Sequence, residues 1–466
     1  MGAPTRVLDA IDRRFDASVA ELVELARIPG VSAESFEPAE LERSAEAVAG
    51  LLGDVGLDSV EVLRVPGAHP YVVAEKRAAD PDAPTALVYA HHDVQPPGRL
   101  DRWETPAFEP TVREDGRLYG RGVVDDKAGL CLHAAALRAW LETEGALPLH
   151  VKLVVEGEEE IGSGHLTDFL RQHRERLAAD VLVVSDTQNL DTGVPSLTTS
   201  LRGIVQIDVS LRVLEHNVHS GMWGGPVPDA ATALSRLLGR LIDDAGVPAV
   251  PGLDADVPEL DPEERARIAE LSFDEASFRG AAGLVSGVSL VGPDDVSVYE
   301  RLWHRPAVAV TALEAVPFAT AANQLVDEAR ARVGVRIAPG QDPERVADCV
   351  IRFLTRVPPV GARVEARAVA KVAGWRTQPD GPAFDAARRA LTAGFGRDAV
   401  TIGCGGTIPF VGPFGEVMGG VPQLLLGLED PPCNAHGENE SLDLDDFRKA
   451  AHASAHLLSE LGVALR

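Results

Sequence analysis

Four glutamates in five positions, Glu156, Glu158, Glu159 and Glu160, follow the mostly apolar run 151–155 and precede a Gly-Ser-Gly break at 162–164. An apolar run of that length reads as a short buried strand. An isolated acidic run is ordinarily a solvated face. Its position here favours a site, because ligands in open α/β sheets gather beyond the carboxyl ends of the strands. Carboxylates crowded there require either a metal ion or protons.

Other donors recur in equivalent places. The run Thr85–His91 (TALVYAH) ends in His91-His92-Asp93, Asp125 and Asp126 stand just before a helical segment, Asp186 follows the apolar run 181–184, and His436 lies in the loop before the last helix. Each alone has an ordinary explanation: a surface or core hydrogen bond for His91 and Asp93, a helix N-cap for Asp125-Asp126, a turn for Asp186. Their joint placement at successive strand ends points to a shared site. Mixed histidine and carboxylate donors suit zinc, with cobalt or manganese in its place. Two ions about 3.5–4 Å apart sharing a carboxylate can activate water and polarise a carbonyl. A His-x-Asp pair fits a ligand imidazole whose second nitrogen is held by an acid.

The elements that must position these groups follow from periodicity. Helical spacing of apolar residues covers 5–27 and 38–53, and short strands are expected near 60–65 and 71–75. Thr85–His91, 151–155 and 181–184 read as buried strands, with helices at 128–141 and about 165–177 between and after them. At Gly203 the pattern changes to strict alternation over 205–213, repeated at 329–337 and 364–372 and less cleanly at 307–316, with helices near 228–243 and 342–356. The α/β pattern resumes near Trp375, with a helix at 382–394, strands at 399–402 and 423–428, and a final helix at 443–461. The expected fold is therefore an α/β catalytic domain with a mixed sheet flanked by helices, built from 1–202 and 375–466, and an inserted α+β, ferredoxin-like domain at 203–374.

With 466 residues the chain exceeds one typical core, and 45% hydrophobic with 25% charged residues is ordinary for a globular protein. A net charge of -27 argues against nucleic-acid binding. Four widely spaced cysteines form neither a disulfide framework nor a cysteine zinc site. No apolar run approaches a membrane span and the N-terminus is charged where a signal peptide is apolar, so a cytoplasmic protein is expected.

The segments YAHHDVQP, LYGRGVVDDKAG, EGEEEIGSG, VVSD, HNVHSGMWGG, GGTIP and AHGENE, in this order, resemble the motif series of the di-zinc metallopeptidases. That family includes carnosinase, cytosolic nonspecific dipeptidase, carboxypeptidase G, acetylornithine deacetylase and succinyl-diaminopimelate desuccinylase. HxDVQP, the long insert and HSGxxGG are most similar to the dipeptidase branch. The resemblance implies two divalent ions, zinc foremost, with His91, Asp125 and Glu160 at the first and Asp125, Asp186 and His436 at the second. It further implies a cis Asp125–Asp126 peptide, Asp93 orienting His91, and Glu159 as general base. His219 matches a residue that reaches into a partner's site to stabilise the oxyanion, which makes the enzyme a homodimer through its inserted lid domain. Arg336, Asn323, Gly406 and Thr407 match positions that hold the carboxylate end of a small peptide. Glu158 falls where relatives vary and is expected to be dispensable.

Two departures stand out. His92 replaces a usual leucine and reads as a neighbour of the site rather than a ligand. Gly403 and Cys404 replace the Arg-Glu pair that normally precedes the glycine-rich turn, and Cys404 reads as a small buried thiol. The expected activity is hydrolysis of dipeptides or short peptides. An N-acyl amino acid deacylase with the same machinery and a non-catalytic metal- or peptide-binding protein are the competing readings.

Overall fold

The computed structural model describes residues 2–466. Among them a nine-stranded mixed sheet runs in the order Ser59–Leu63, Tyr71–Lys76, His150–Glu156, Thr85–His91, Val181–Gln188, Gln423–Glu429, Ser196–Leu201 and Trp375–Arg376, with Val400–Cys404 branching from Ser196–Leu201. Thr85–His91 is parallel to both His150–Glu156 and Val181–Gln188, and Val181–Gln188 is parallel to Gln423–Glu429. Four carboxyl ends therefore share one edge of the sheet. The register sets His91 opposite Glu156, so the acidic turn begins level with the first histidine.

Helices cover both faces. Thr5–Ala26, Lys127–Glu144, Pro382–Phe395 and Leu444–Ala464 bury their apolar stripes on one side, and Leu166, Phe169, Phe410 and Phe414 pack on the other. The continuous apolar character of the central strands follows from this double cover. No helix among the described residues is long and apolar enough to cross a membrane.

The inserted segment forms a four-stranded antiparallel sheet in the order Ala307–Glu314, Glu328–Ile337, Gly203–Arg212, Arg363–Val372. Its alternating residues Val205, Ile207, Val209 and Leu211 bury against helices Ala230–Leu238 and Pro343–Arg356, and its other face is open. Asp229 and Asp342 cap those helices through backbone N–H groups. The two connections into the insert cross in contact. A Cβ on Gly203 would stand 2.4 Å from the Val372 carbonyl oxygen and one on Gly374 2.7 Å from that of Leu201, so both positions need glycine.

The structure differs from the periodicity in three places. The expected helix at 165–177 is two, Leu166–Gln172 and Arg174–Leu177, parted at His173. Ser196–Leu201 (SLTTSL) is a wholly buried strand despite its hydroxyl side chains, and Val411–Val417 is a helix that glycine and proline obscured.

Candidate active site

The expected metal ligands converge at the shared sheet edge. Donor atoms of His91, Asp125 and Asp186 lie within 4.8 Å of one another, and so do those of Asp125, Glu160 and His436. Asp125 belongs to both groups: Oδ1 is 3.0 Å from His91 Nε2, and Oδ2 is 2.9 Å from His436 Nε2. Glu160 Oε2 is 3.2 Å from His436 Nε2, and Asp186 Oδ2 is 3.8 Å from His91 Nε2. This corrects the division drawn from the resemblance. His91 is grouped with Asp186 and Glu160 with His436, because strands Thr85–His91 and Val181–Gln188 are direct neighbours. Each group offers one imidazole and two carboxylates, a donor set that fits zinc, cobalt or manganese.

Buried supports fix the ligands. His91 Nδ1 lies 3.0 Å from the Asp93 carbonyl oxygen and 3.4 Å from its carboxylate, which turns Nε2 toward Asp125. The same Asp93 carboxylate accepts the backbone N–H groups of Glu159 and Glu160 at 3.2 and 3.1 Å. One acid thus holds both a candidate ligand histidine and the acidic turn. The Asp125–Asp126 peptide is cis, as the resemblance implies. Asp126 stands at the N-cap position, yet its side chain makes no cap bond and instead accepts the His91 N–H at 3.3 Å.

Several supporting residues escaped the sequence reading. Arg121 and Glu440 form a fully buried ion pair at 2.6 Å. Arg121 also donates to the carbonyls of His436 and Gly437, while Glu440 accepts the N–H groups of Gly122, Val124 and, at 3.4 Å, Asp125. His436 adopts φ +64°, a left-handed backbone that this clamp maintains. Glu158, expected to be dispensable, is 2% exposed and accepts from Tyr71 Oη at 3.1 Å and the His165 N–H at 2.7 Å, with His165 Nδ1 3.0 Å away. It anchors the loop that carries Glu159 and Glu160. The available signal was the presence of Arg121 and Glu440 themselves within the motifs GRG and AHGENE.

The site calls for positive charge. Burial opposes ionisation throughout, yet Asp125 and Asp186 drive His91 well above the ordinary imidazole range. Asp125 and Glu160 likewise raise His436 to about 11 against its burial. Burial raises Glu160 to about 7 and Glu159 well above the usual carboxylate range, with neighbouring acids adding to both. His92 belongs to neither donor group: its Nε2 donates to the Pro70 carbonyl at 2.9 Å, and burial lowers its pKa to about 4.

The expected carboxylate-binding residues divide into two clusters. Arg336 Nη1 donates to Thr407 Oγ1 at 2.6 Å, bringing the insert's strand to the glycine-rich turn. The neighbouring Gly406 N–H donates to Cys404 Sγ at 3.3 Å, and Cys404 is a buried thiol raised to about 11 by burial. Trp303 occupies the space beside Gly403: its Cβ is 2.7 Å from where a glycine Cβ would be. Helix Val298–His304 thus packs directly against Gly403. His219 and Asn323 lie apart from all of these, together on an exposed two-stranded ribbon in which Ser220 N–H donates to the Asn323 carbonyl. His219 Nδ1 accepts the Gly221 N–H at 3.1 Å, leaving Nε2 as a free donor, and neither residue bonds to the ligand cluster of its own chain among the described residues.

Comparison with known proteins identifies the family. Residues 87–460 match the profile of Peptidase family M20/M25/M40. The chain is 33% identical over 424 residues, 90% of each protein, to the cysteinylglycine-S-conjugate dipeptidase of Corynebacterium striatum. Among solved structures it superimposes on the di-peptidase Dug1p of Saccharomyces cerevisiae with a TM-score of 0.85, at 25% identity and 98% of both chains. Human carnosine dipeptidase 1 gives a TM-score of 0.86, also at 25% identity, over 99% of both. A matched profile across most of the chain, the shared-carboxylate ligand groups and the lid-bearing fold together make this chain a member of peptidase family M20/M25/M40, in its dipeptidase branch.

Proposed function

We propose that the protein is a dipeptidase that hydrolyses dipeptides, or short peptides with a free C-terminal carboxylate, at a two-zinc centre held by His91, Asp125, Glu160, Asp186 and His436. The observation that carries this reading is one buried carboxylate, Asp125, shared by two three-donor groups, with Glu159 facing His91, Asp186 and Asp125 beside them. Divalent ions bound there would polarise the scissile carbonyl and acidify water. Glu159 takes the proton of the attacking water and passes it to the leaving amine. Arg336, Thr407 and Gly406 hold the carboxylate end of the substrate, and Asn323, which lies beside His219, reaches that end from the partner's lid.

In this reading 1–202 and 375–466 form the catalytic domain and 203–374 the lid and dimerisation domain. His219 donates from Nε2 to the reacting carbonyl oxygen in the partner's site. The lack of any bond to its own chain's ligand cluster among the described residues, and its free Nε2, support that role. The outermost lid strand, Ala307–Glu314, has an unpaired edge with Val310 and Leu313 exposed, which supports association through the lids. The dipeptidase names of its relatives favour a peptide over an N-acyl amino acid as substrate.

The test is a panel of dipeptides, Cys-Gly and β-Ala-His included, against N-acetyl and N-succinyl amino acids, each with added zinc, cobalt or manganese. Preferential turnover of free dipeptides is expected. Preference for the N-acyl compounds would make the protein a deacylase, and no turnover with any metal would make it a binding protein.

A further inference from the structure

Two arginines meet where the lid joins the central sheet. Arg202 lies between strands Ser196–Leu201 and Gly203–Arg212 and is 7% exposed. Arg336, half-buried on Glu328–Ile337, reaches the same place from the lid. Thr407 joins them: its hydroxyl donates to the Arg202 carbonyl at 2.7 Å and accepts from Arg336 at 2.6 Å. The Arg202 guanidinium donates through Nε to the Gly405 carbonyl at 3.1 Å and through Nη1 to that of Arg305 at 3.4 Å. Its Nη2 has no acceptor among the described residues. A Cβ on Gly405 would stand 3.1 Å from Nη2, so glycine keeps that approach open.

Neither guanidinium has a carboxylate partner among the described residues. The titratable groups that face Arg202 are Arg336, His304 and the Cys404 thiol, none of them an acid that is ionised at neutral pH, and burial together with Arg336 lowers Arg202 to about 10. Buried cations in proteins are paired, since an unpaired one is strongly unfavourable. Two adjacent ones therefore mark a place for an anionic ligand. The buried Cys404 thiol beside them supplies no counter-charge. A single α-carboxylate neutralises one of the two charges. A C-terminal residue with a side-chain carboxylate neutralises both.

We propose that Arg202, Arg336 and Thr407 form a receptor for two carboxylates, and that the enzyme accordingly prefers dipeptides ending in aspartate or glutamate. The inference rests on the dipeptidase reading above and adds Arg202 as a specificity-determining residue. Guanidinium–carboxylate bonds are directional and charge-assisted, so the expected preference for Ala-Asp over Ala-Asn, and for Ala-Glu over Ala-Gln, is about tenfold or more in kcat/KM.

The experiment measures kcat and KM for these four peptides with the zinc-loaded wild-type dimer, Arg202→Met and Arg202→Lys. The acid-to-amide ratio should fall toward unity in Arg202→Met, through KM, and be largely kept in Arg202→Lys. A misfolded fraction lowers all four rates together and leaves the ratio untouched, so the ratio reads specificity alone. Equal handling of acid and amide by wild type, or an unchanged ratio in Arg202→Met, overturns the proposal. If none of the four peptides is cleaved the dipeptidase reading fails, and calorimetric binding of aspartate against asparagine then decides the receptor by itself. Equal affinity for the two overturns it.

Discussion

Glu158 and Glu159 are adjacent and chemically identical, and the fold places them in opposite roles. The 3-10 turn Glu159–Ile161 begins after Glu158 and ends the strand alternation that would have put Glu158 and Glu160 on one face. Glu158 turns inward to Tyr71 and His165, while Glu160 joins the candidate ligand cluster and Glu159 faces His91, Asp186 and Asp125 beside it. Removing a charged acceptor from buried donors costs about 2–3 kcal/mol. Glu158→Ala should therefore lower the unfolding free energy in urea by that amount, a loss that a dispensable surface acid would not cause. Glu159→Gln should lower kcat by about 10²–10⁴-fold with zinc content unchanged. Turnover near the wild-type rate in that variant would remove Glu159 from the role of base.

Elements hold the site through buried polar links that periodicity does not reveal. The Arg121–Glu440 pair joins the turn before helix Lys127–Glu144 to the His436 loop. Breaking a buried pair by removing one partner costs about 3–5 kcal/mol. Arg121→Met should lose about that much stability and weaken zinc retention, and Arg121→Met with Glu440→Met should recover part of the stability. His133, on the same helix, lies 2.8 Å from Ser454 Oγ and 2.9 Å from Ser185 Oγ, and burial lowers its pKa to about 4. The unfolded imidazole takes a proton near pH 6.5 and the folded one only near 4, so its contribution is complete above about 6.5 and is lost as pH falls to 4. A gap of that size is worth roughly 3 kcal/mol. His133→Gln, compared with wild type by urea unfolding at pH 7 and pH 4.5, should lose distinctly less stability on acidification.

At the scale of the molecule, the central and the inserted sheet, and the gathering of candidate ligands at strand ends, were legible in the sequence. Doubly covered strands such as Thr85–His91 must be continuously apolar, the lid strands must alternate, and the ligands sit where those runs stop. Ser196–Leu201 was not legible, because buried hydroxyl residues carry no periodic signal. Nor was the grouping of ligands, which depends on strand order, a property no local pattern encodes. Arg202 was passed over for the same reason, since its meeting with Arg336 exists only once the two domains are joined. If His219 acts across a dimer, mixing His219→Ala with Glu159→Gln chains should restore part of the activity that each lacks alone. Failure to restore any would confine the site to one chain. The central claim is a centre of two ions bridged by one carboxylate, and calorimetric titration of zinc into the metal-free protein tests it most directly. Wild type should bind two ions per chain, His91→Ala and His436→Ala one each, and Asp125→Asn neither tightly. A single ion per wild-type chain, or two retained in Asp125→Asn, would contradict it.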